Sequence, residues 1–171
     1  VLGTGSIGVK HLKQLRSAGV VPLYAIPVRG TRRADLEAAG FVTVEHMGDL
    51  PEGMVNSVVV ATDTARHPDD ACCALSAGYH VLVEKPIAVT AAEGIPICAS
   101  ASRSARKAYV GCLLRFSESM NTFRDLLERI GRVHSVRIEC QSYLPDWRSD
   151  RSYRNAYSAR PDEGGVLRDL I

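Results

Sequence analysis

Three glycines near the start of the chain, Gly3, Gly5 and Gly8, follow the spacing Gly-x-Gly-x-x-Gly between a short apolar segment and a helical pattern. In that context one glycine makes a tight turn, one lets a pyrophosphate approach the backbone, and one lets the helix pack closely on the sheet. The spacing therefore predicts a dinucleotide held at the start of the first helix by these glycines, Ser6 and Ile7. The alternative is a glycine-rich turn that binds nothing.

Helix and strand patterns alternate downstream of the glycines as far as residue 112. Apolar spacing and end signals predict helices over 8–18, 31–39 and 68–77, and a fourth helix that is capped by Thr90 with Glu93 in the capping-box position. Apolar runs predict strands over 20–28, 41–44, 55–61, 79–83 and 108–112. This alternation predicts an α/β fold, a Rossmann-type doubly wound parallel sheet with helices on both faces and residues 55–61 as its central strand.

The alternation of helix and strand patterns ends after residue 112. A helix is predicted over 118–130, and the alternating pattern of 133–143 predicts a strand with one solvent-exposed face. Residues 145–165 have little periodicity and are predicted to form a long loop. We therefore expect a dinucleotide-binding domain over 1–112 and, over 113–171, the incomplete beginning of an α+β domain for substrate binding and oligomerisation.

Both ends of the chain indicate a fragment. Only Val1 and Leu2 precede the first glycine, although a strand that feeds such a turn usually has about five residues. The other end stops at Ile171 in an apolar segment that has no cap or turn residue. We expect the natural protein to be longer.

Composition excludes several classes of function. A net charge of +2 with both signs spread along the chain gives no basic stripe, so we expect no nucleic-acid partner. No apolar stretch approaches the roughly 20 residues of a membrane helix and no signal peptide is present, which predicts a cytoplasmic protein without a membrane partner. The five cysteines lack paired spacing and are predicted to be reduced, mostly buried thiols. The histidines lack metal-ligand spacing, so no metal is predicted.

The tripeptide Glu84-Lys85-Pro86 follows the predicted strand 79–83 directly. Lysine, unlike arginine, gives up its proton in a useful range when it is partly desolvated, and only 4 of the 21 basic residues are lysines. Pro86 restricts Lys85 to extended backbone. We predict that Lys85 is the catalytic proton donor and contacts both cofactor and substrate, and that Glu84 pairs with it or binds the cofactor. The alternative is an exposed lysine after a buried strand.

The end of the second predicted strand points to the choice of cofactor. A carboxylate usually binds the ribose 2′-hydroxyl of NAD there, but this chain has Arg29, Thr31 and Arg32. Guanidinium groups beside a hydroxyl suit a 2′-phosphate, so NADP is favoured over NAD. The alternatives are a solvated basic turn and a contribution from Asp35.

Arginines interleave with aromatic residues over 145–160. Guanidinium groups bind carboxylate or phosphate at two points, and aromatic faces stack on sugar rings. The composition predicts an anionic, acidic or nucleotide-linked sugar. The alternative is a solvated loop whose arginines pair with Asp146, Asp150 and Asp162. The predicted substrate contacts are Trp147, Arg148, Tyr153, Arg154 and Tyr157.

These motifs together resemble the Gfo/Idh/MocA oxidoreductases, the family of glucose-fructose oxidoreductase and inositol dehydrogenase. The resemblance spans the whole chain. It is carried by Gly3-x-Gly5-x-x-Gly8, Ala61-Thr62-x-x-x-x-His67, Ala77-Gly78-x-His80-Val81-Leu82-x-Glu84-Lys85-Pro86, Val110-Gly111 with Arg115-Phe116, and Gly164-Gly165-Val166-Leu167-x-Asp169.

The resemblance implies a nicotinamide-dependent dehydrogenase in which Lys85 contacts the reacting oxygen of a sugar or cyclitol. It also implies a catalytic and substrate-contacting role for Asp169, with a histidine four residues later, two positions beyond Ile171. Further cofactor contacts are implied for Ala61, Thr62, His67 and Arg115. The chain departs from many relatives at Leu113, where they have an asparagine that makes a polar contact.

The resulting hypothesis is an NAD(P)-dependent oxidoreductase that acts on CH–OH groups of a sugar or sugar derivative and is a homo-oligomer when full length. One alternative is a non-catalytic regulator of the same fold that senses cofactor or sugar. Another is a cofactor-binding fragment without activity of its own.

Overall fold

The computed structural model describes residues 1–147, 152–155 and 159–160. In this part of the chain the α-helices are α1 (Ser6–Ser17), α2 (Arg33–Ala38), α3 (His67–Ser76), α4 (Ala91–Ser104) and α5 (Glu118–Leu127). The strands are β1 (Tyr24–Ala25), β2 (Val42–Thr43), β3 (Ser57–Val60), β4 (His80–Val83) and β5 (Ala108–Val110). Short 3-10 helices cover Gly30–Arg32, Met47–Asp49, Thr64–Arg66, Leu113–Phe116, Leu144–Trp147 and Tyr153–Asn155.

The strands pair in parallel in two groups that Leu2 connects. One group is β1 with β2, and the other has the order β3-β4-β5. Leu2 makes a parallel bridge to Ile26 on one side and to Val60 on the other. The spatial order is therefore β2-β1-Leu2-β3-β4-β5.

This order is the one expected of a dinucleotide-binding sheet. With the Leu2 segment counted as the first strand, it reads 3-2-1-4-5-6, the order of doubly wound folds. The order reverses between Leu2 and β3, and ligands of such sheets bind outside the carboxyl ends of the strands at that point. The predicted Rossmann-type α/β fold is confirmed.

The core lies on both faces of the sheet, as the alternation of neighbouring strand residues requires. Ile26 belongs to a cluster in which Val58, Val60, Val81 and Val83 pack against α3 and α4. The preceding residue, Ala25, faces the opposite way and joins a second cluster of Leu12, Leu36 and Phe41, which come from α1, α2 and the turn after α2. Each fully buried aliphatic side chain stabilises the fold by about 1.5–3 kcal/mol.

Two predicted strands differ from the structure. The segment 20–28 pairs only around Tyr24–Ala25 and Ile26, because Pro22 and Pro27 have no N–H to donate to a ladder. The prediction of a strand over 133–143 is wrong, since these residues are exposed and belong to no strand. An alternating pattern produces a strand only where a neighbour accepts and donates its backbone hydrogen bonds.

The prediction of mostly buried thiols is also wrong. Cys73, Cys98 and Cys140 are exposed, and Cys72 and Cys112 are half-buried. On α3, the buried positions on either side of Cys72 and Cys73 are taken by the small residues Ala71 and Ala74. Separately, in the described part of the chain, we find no helix with both the length and the apolarity that crossing a bilayer requires.

Candidate functional site

Two glycines of the turn at residues 3–8 are required by close backbone contacts. Gly3 has a φ of +87°, and a Cβ on it would lie 2.6 Å from the carbonyl carbon of Ala61. A Cβ on Gly8 would lie 2.0 Å from the carbonyl oxygen of Gly3. Side chains at these positions would push the turn away from β3 and from α1. The two glycines thus fix how closely the sheet, the turn and α1 approach one another.

Gly5 is glycine for a different reason. A Cβ on it would meet no atom within 4 Å, and its backbone is extended with a φ of −66°. Gly5 precedes α1, whose first turn has neither a side-chain cap nor an acidic residue. The amides of Ser6 and Ile7 begin the helix there, where the dipole favours an anion. The open space and the N–H groups fit the pyrophosphate of a dinucleotide.

A cavity of about 690 Å³ opens beside Leu2, under the carboxyl ends of β1 and β2. Apolar residues and charged groups of both signs line it. Arg66 pairs with Asp70 at 3.3 Å, and the hydroxyl of Thr62 donates to the same carboxylate at 2.7 Å. The described lining residues are Leu2, Ile26, Pro27, Val28, Gly30, Arg33, Glu45, His46, Met47, Gly48, Arg66, Asp70 and Cys73.

The charged residues that line this cavity are not those predicted from the sequence. Arg29, Thr31 and Arg32 are exposed in the neighbouring turn, and among the described residues the lining arginine of this segment is Arg33. Arg33 begins α2, and its side chain is half-buried. Glu45 and Asp70 add carboxylates that lie far from this turn in sequence. The cavity therefore offers partners for a phosphate and for ribose hydroxyls.

Lys85 lies exposed just beyond β4, at the same edge of the sheet as the glycine turn. The Lys85–Pro86 peptide bond is cis. The preceding residue, Glu84, is only 7% exposed, and its Oε2 accepts the backbone N–H of Lys85 at 3.2 Å. Lys85 thus has a solvent-accessible side chain on a backbone that a buried carboxylate holds.

The buried carboxylate of Glu84 has a second partner in His11. Nε2 of His11, on α1, donates to Oε1 of Glu84 at 2.5 Å. Gly111, just after β5, lies beside the carboxylate, and a Cβ there would be at van der Waals distance from it, 3.4 Å. Burial alone would raise the pKa of Glu84, but the hydrogen bond and charge of His11, with the amide and charge of Lys85, lower it below its ordinary value.

His67 is 2% exposed and connects two loops at the edge of the sheet. Its Nδ1 lies 2.8 Å from the carbonyl oxygen of Pro86, and its Nε2 lies 3.0 Å from the carbonyl oxygen of Thr62. It therefore acts on this edge through Thr62 and Pro86 rather than through an exposed surface of its own. Ala61, which precedes Thr62, is buried against Gly3.

The remaining predicted contacts are placed in part. Arg115 is exposed in the 3-10 helix after β5. Trp147 is half-buried and donates to the hydroxyl of Ser142, while the guanidinium of Arg154 lies 4.9 Å from the ring centroid of Tyr153. Arg148, Tyr157 and Asp169 lie outside the described residues.

Sequence reasoning did not single out His11 or Arg33 as site residues. His11 lies three positions after Gly8 and four after Ile7. This spacing puts all three residues on the same side of α1, next to the glycine turn, and could have indicated His11 from the sequence. Arg33 had no comparable signal, because its contact depends on how α2 lies over the sheet. No group of three or more potential metal ligands occurs among the residues that the structure describes.

Known proteins are similar to this chain in sequence. Residues 1–112 match the model of an oxidoreductase family with an NAD-binding Rossmann fold, Gfo/Idh/MocA. The chain is 31% identical over 147 residues to a 4-carboxy-2-hydroxymuconate-6-semialdehyde dehydrogenase from Sphingobium sp., covering 83% of this chain and 46% of that protein. It is 30% identical over 148 residues to inositol 2-dehydrogenase 1 from Saccharopolyspora erythraea, covering 82% of this chain and 44% of that protein.

The fold is also similar to solved structures. The WlbA dehydrogenase from Bordetella pertussis, in complex with NADH and UDP-GlcNAcA, matches with a TM-score of 0.68 and 23% identity, over 75% of this chain and 38% of that chain. The chain spans less than half the length of each of these three relatives. The family match covers well over half of the chain, in the part that holds the glycine turn and Lys85. The chain belongs to the Gfo/Idh/MocA oxidoreductase family.

Proposed function

We propose that the full-length protein is an NAD(P)-dependent oxidoreductase that transfers hydride between the cofactor and a hydroxyl or carbonyl carbon of a sugar or sugar derivative. The observation that carries the proposal is the position of Lys85. It lies at the carboxyl edge of the sheet, on a backbone that Glu84 ties to α1 through His11. The open turn at Gly5 begins the same helix. The ammonium group of Lys85 and the backbone amides proposed to bind phosphate are thus connected through α1.

The chain's own residues have separate tasks in this proposal. Gly3, Gly5 and Gly8, with the amides of Ser6 and Ile7, bind the pyrophosphate, and the cavity beside Leu2 takes the adenosine. The bound nicotinamide supplies the hydride chemistry. The ammonium group of Lys85 donates a hydrogen bond to the reacting oxygen of the substrate and moves its proton. Asp169 assists Lys85.

The same proposal assigns cofactor binding and substrate binding to different parts of the chain. Residues 1–112 bind the cofactor, with Ala61, Thr62, His67 and Arg115 near it, and residues 113–171 begin the substrate domain. Arginines and aromatic residues of 145–160 contact an acidic or nucleotide-linked sugar. The UDP-GlcNAcA in the B. pertussis structure supports a substrate of this class.

We propose NADP as the preferred cofactor. Arg33 lines the cavity, with Arg29, Thr31 and Arg32 in the adjoining turn, and guanidinium groups suit a 2′-phosphate. Replacing Arg33 by serine should weaken NADPH binding by about 10-fold or more and NADH binding much less, because a charged hydrogen bond to phosphate is worth about 1.5–3 kcal/mol. Fluorescence titration of both cofactors measures this difference. Equal losses for both would refute the assignment of Arg33 to the phosphate.

The proposed activity is tested on the full-length protein with a panel of neutral, acidic and nucleotide-linked sugars and both cofactors. Lys85→Ala should lower kcat by about 10²- to 10⁴-fold, the range of proton-transfer catalysis, while cofactor binding is retained. Lys107→Ala is the matched control, since Lys107 is an exposed lysine outside the site. Near-normal turnover of the Lys85→Ala protein would remove Lys85 from this role. Cofactor binding without turnover on the panel would instead support a regulator.

A further inference from the structure

A part-buried hydrogen bond joins the helix of the glycine turn to the segment that carries Lys85. His11 lies on α1, and its side chain is 17% exposed, while that of Glu84 is 9% exposed. Nε2 of His11 donates to Oε1 of Glu84 at 2.5 Å. The other oxygen, Oε2, accepts the backbone N–H of Lys85 at 3.2 Å. The two oxygens of one carboxylate therefore connect α1 to the backbone of Lys85.

The carboxylate of Glu84 is buried at the end of β4. It lies beside Gly111, where an added Cβ would be 3.4 Å from its carboxyl carbon. A buried carboxylate is stable as an anion only when hydrogen-bond donors or cations surround it. His11 gives the carboxylate such a donor from α1, through its Nε2. Loss of His11 would remove the donor that holds Oε1, and we expect the carboxylate to shift toward solvent or toward the charge of Lys85, so that the amide of Lys85 loses its acceptor.

We propose that His11 is a positioning residue for Lys85, acting through Glu84, so that the helix that begins at the phosphate cradle also fixes where the ammonium group lies. The inference rests on the proposed dehydrogenase function. It assigns to His11 no contact with the reacting atoms. Its effect is geometric, and displacement of a reacting group by about 1 Å can cost about 100-fold in rate.

The kinetic test uses three variants of the full-length protein. His11→Leu should lower kcat by about 10- to 100-fold with KM for cofactor and substrate changed by less than about 3-fold, because a positioning defect acts on the reaction step. His11→Gln should recover most of the lost kcat, since its side-chain amide offers an N–H donor close to the position of Nε2. Gln14→Leu, which replaces an exposed polar side chain on the same helix with no role in the site, should match the wild type. An unchanged kcat in His11→Leu, or no recovery in His11→Gln, would overturn the proposal.

A second measurement does not depend on activity. Urea unfolding of the cofactor-free protein is compared for wild type, His11→Leu, Glu84→Gln and the double variant. The midpoint should fall in His11→Leu and rise again when Glu84→Gln is added, because the second change removes the buried charge that has lost its His11 donor. Additive midpoints would show that the pair is not coupled and would overturn the proposal. If the wild type turned over no substrate, the proposed function would fail, while this cycle would still report on the pair.

Discussion

Gly5 and Gly8 should separate cofactor binding from stability when each is replaced by alanine. The glycines are three positions apart, but a Cβ on Gly8 would lie 2.0 Å from the carbonyl oxygen of Gly3, whereas a Cβ on Gly5 would meet nothing within 4 Å. We expect Gly8→Ala to destabilise the protein. We expect Gly5→Ala to leave the free energy of unfolding nearly unchanged and to weaken binding of NAD(P)H.

The magnitudes follow from the contacts. Ordinary van der Waals contact begins near 3.4 Å, so the methyl group of Gly8→Ala must displace backbone by more than 1 Å. Such overpacking costs about 3 kcal/mol, and the better helix propensity of alanine offsets about 1, which leaves about 2 kcal/mol. For Gly5→Ala, the lower conformational entropy of the unfolded chain raises the free energy of unfolding by about 0.4–1 kcal/mol. Alanine is a poorer N-cap than glycine, and this lowers the free energy of unfolding by a similar amount. Its methyl group occupies the space beside the proposed pyrophosphate, so affinity should fall by about 10-fold or more.

Two assays on the full-length variants measure these effects. Urea denaturation gives the free energy of unfolding of the cofactor-free proteins, and fluorescence titration gives Kd for NADH and NADPH. Wild-type affinity in Gly5→Ala would mean that no phosphate approaches this turn. Wild-type stability in Gly8→Ala would mean that the contact between α1 and Gly3 is looser than the structure shows. Either result would refute the division of roles between the two glycines.

Three further predictions concern stability. Because the pKa of Glu84 is lowered in the folded protein, its contribution should be complete above the ordinary value of 4.5 and be lost as pH falls through the folded value, so Glu84→Gln should flatten the acid side of a plot of urea midpoint against pH. Thr90→Ala removes the side-chain oxygen that accepts the N–H of Glu93 and should cost about 1 kcal/mol in urea unfolding. Ile97→Ala leaves a cavity between α4 and the sheet and should cost about 2–5 kcal/mol in thermal unfolding, while Ile95→Ala, on the exposed face of α4, should cost far less.

Local patterns were sufficient to predict most of the fold. The segment 55–61 has three successive valines, and β3 buries two of them, Val58 and Val60. Thr90 and Glu93 form the predicted capping box. The prediction of a strand failed at 133–143, because a strand also needs a neighbouring strand to bond with, and no local sequence pattern shows whether that neighbour is present. The prediction of buried thiols also failed, because a cysteine on a helix is buried only if it faces the core.

The candidate site was predictable to a smaller extent. Lys85 and the glycine turn have fixed spacing within single segments, so their presence at one edge of the sheet followed from strand order. The contact between His11 and Glu84 joins segments far apart in the chain, and the cavity combines Arg33 with Glu45 from another loop. Such contacts depend on the packing of helices against the sheet, which a single sequence does not specify.

The single-residue bridges of Leu2 have a consequence for folding. Each of the two strand groups consists of segments that follow one another along the chain, so each can assemble from near neighbours. Leu2 pairs with Ile26 over 24 residues, a separation like those within the groups, but its bridge to Val60 spans 58 residues, and closing that longer loop costs more entropy before the new contacts repay it. We therefore expect the two groups to join late. Gly3 directly follows Leu2, so the glycine turn should form its nucleotide site only in that last step. Added cofactor should therefore not stabilise a partly folded chain.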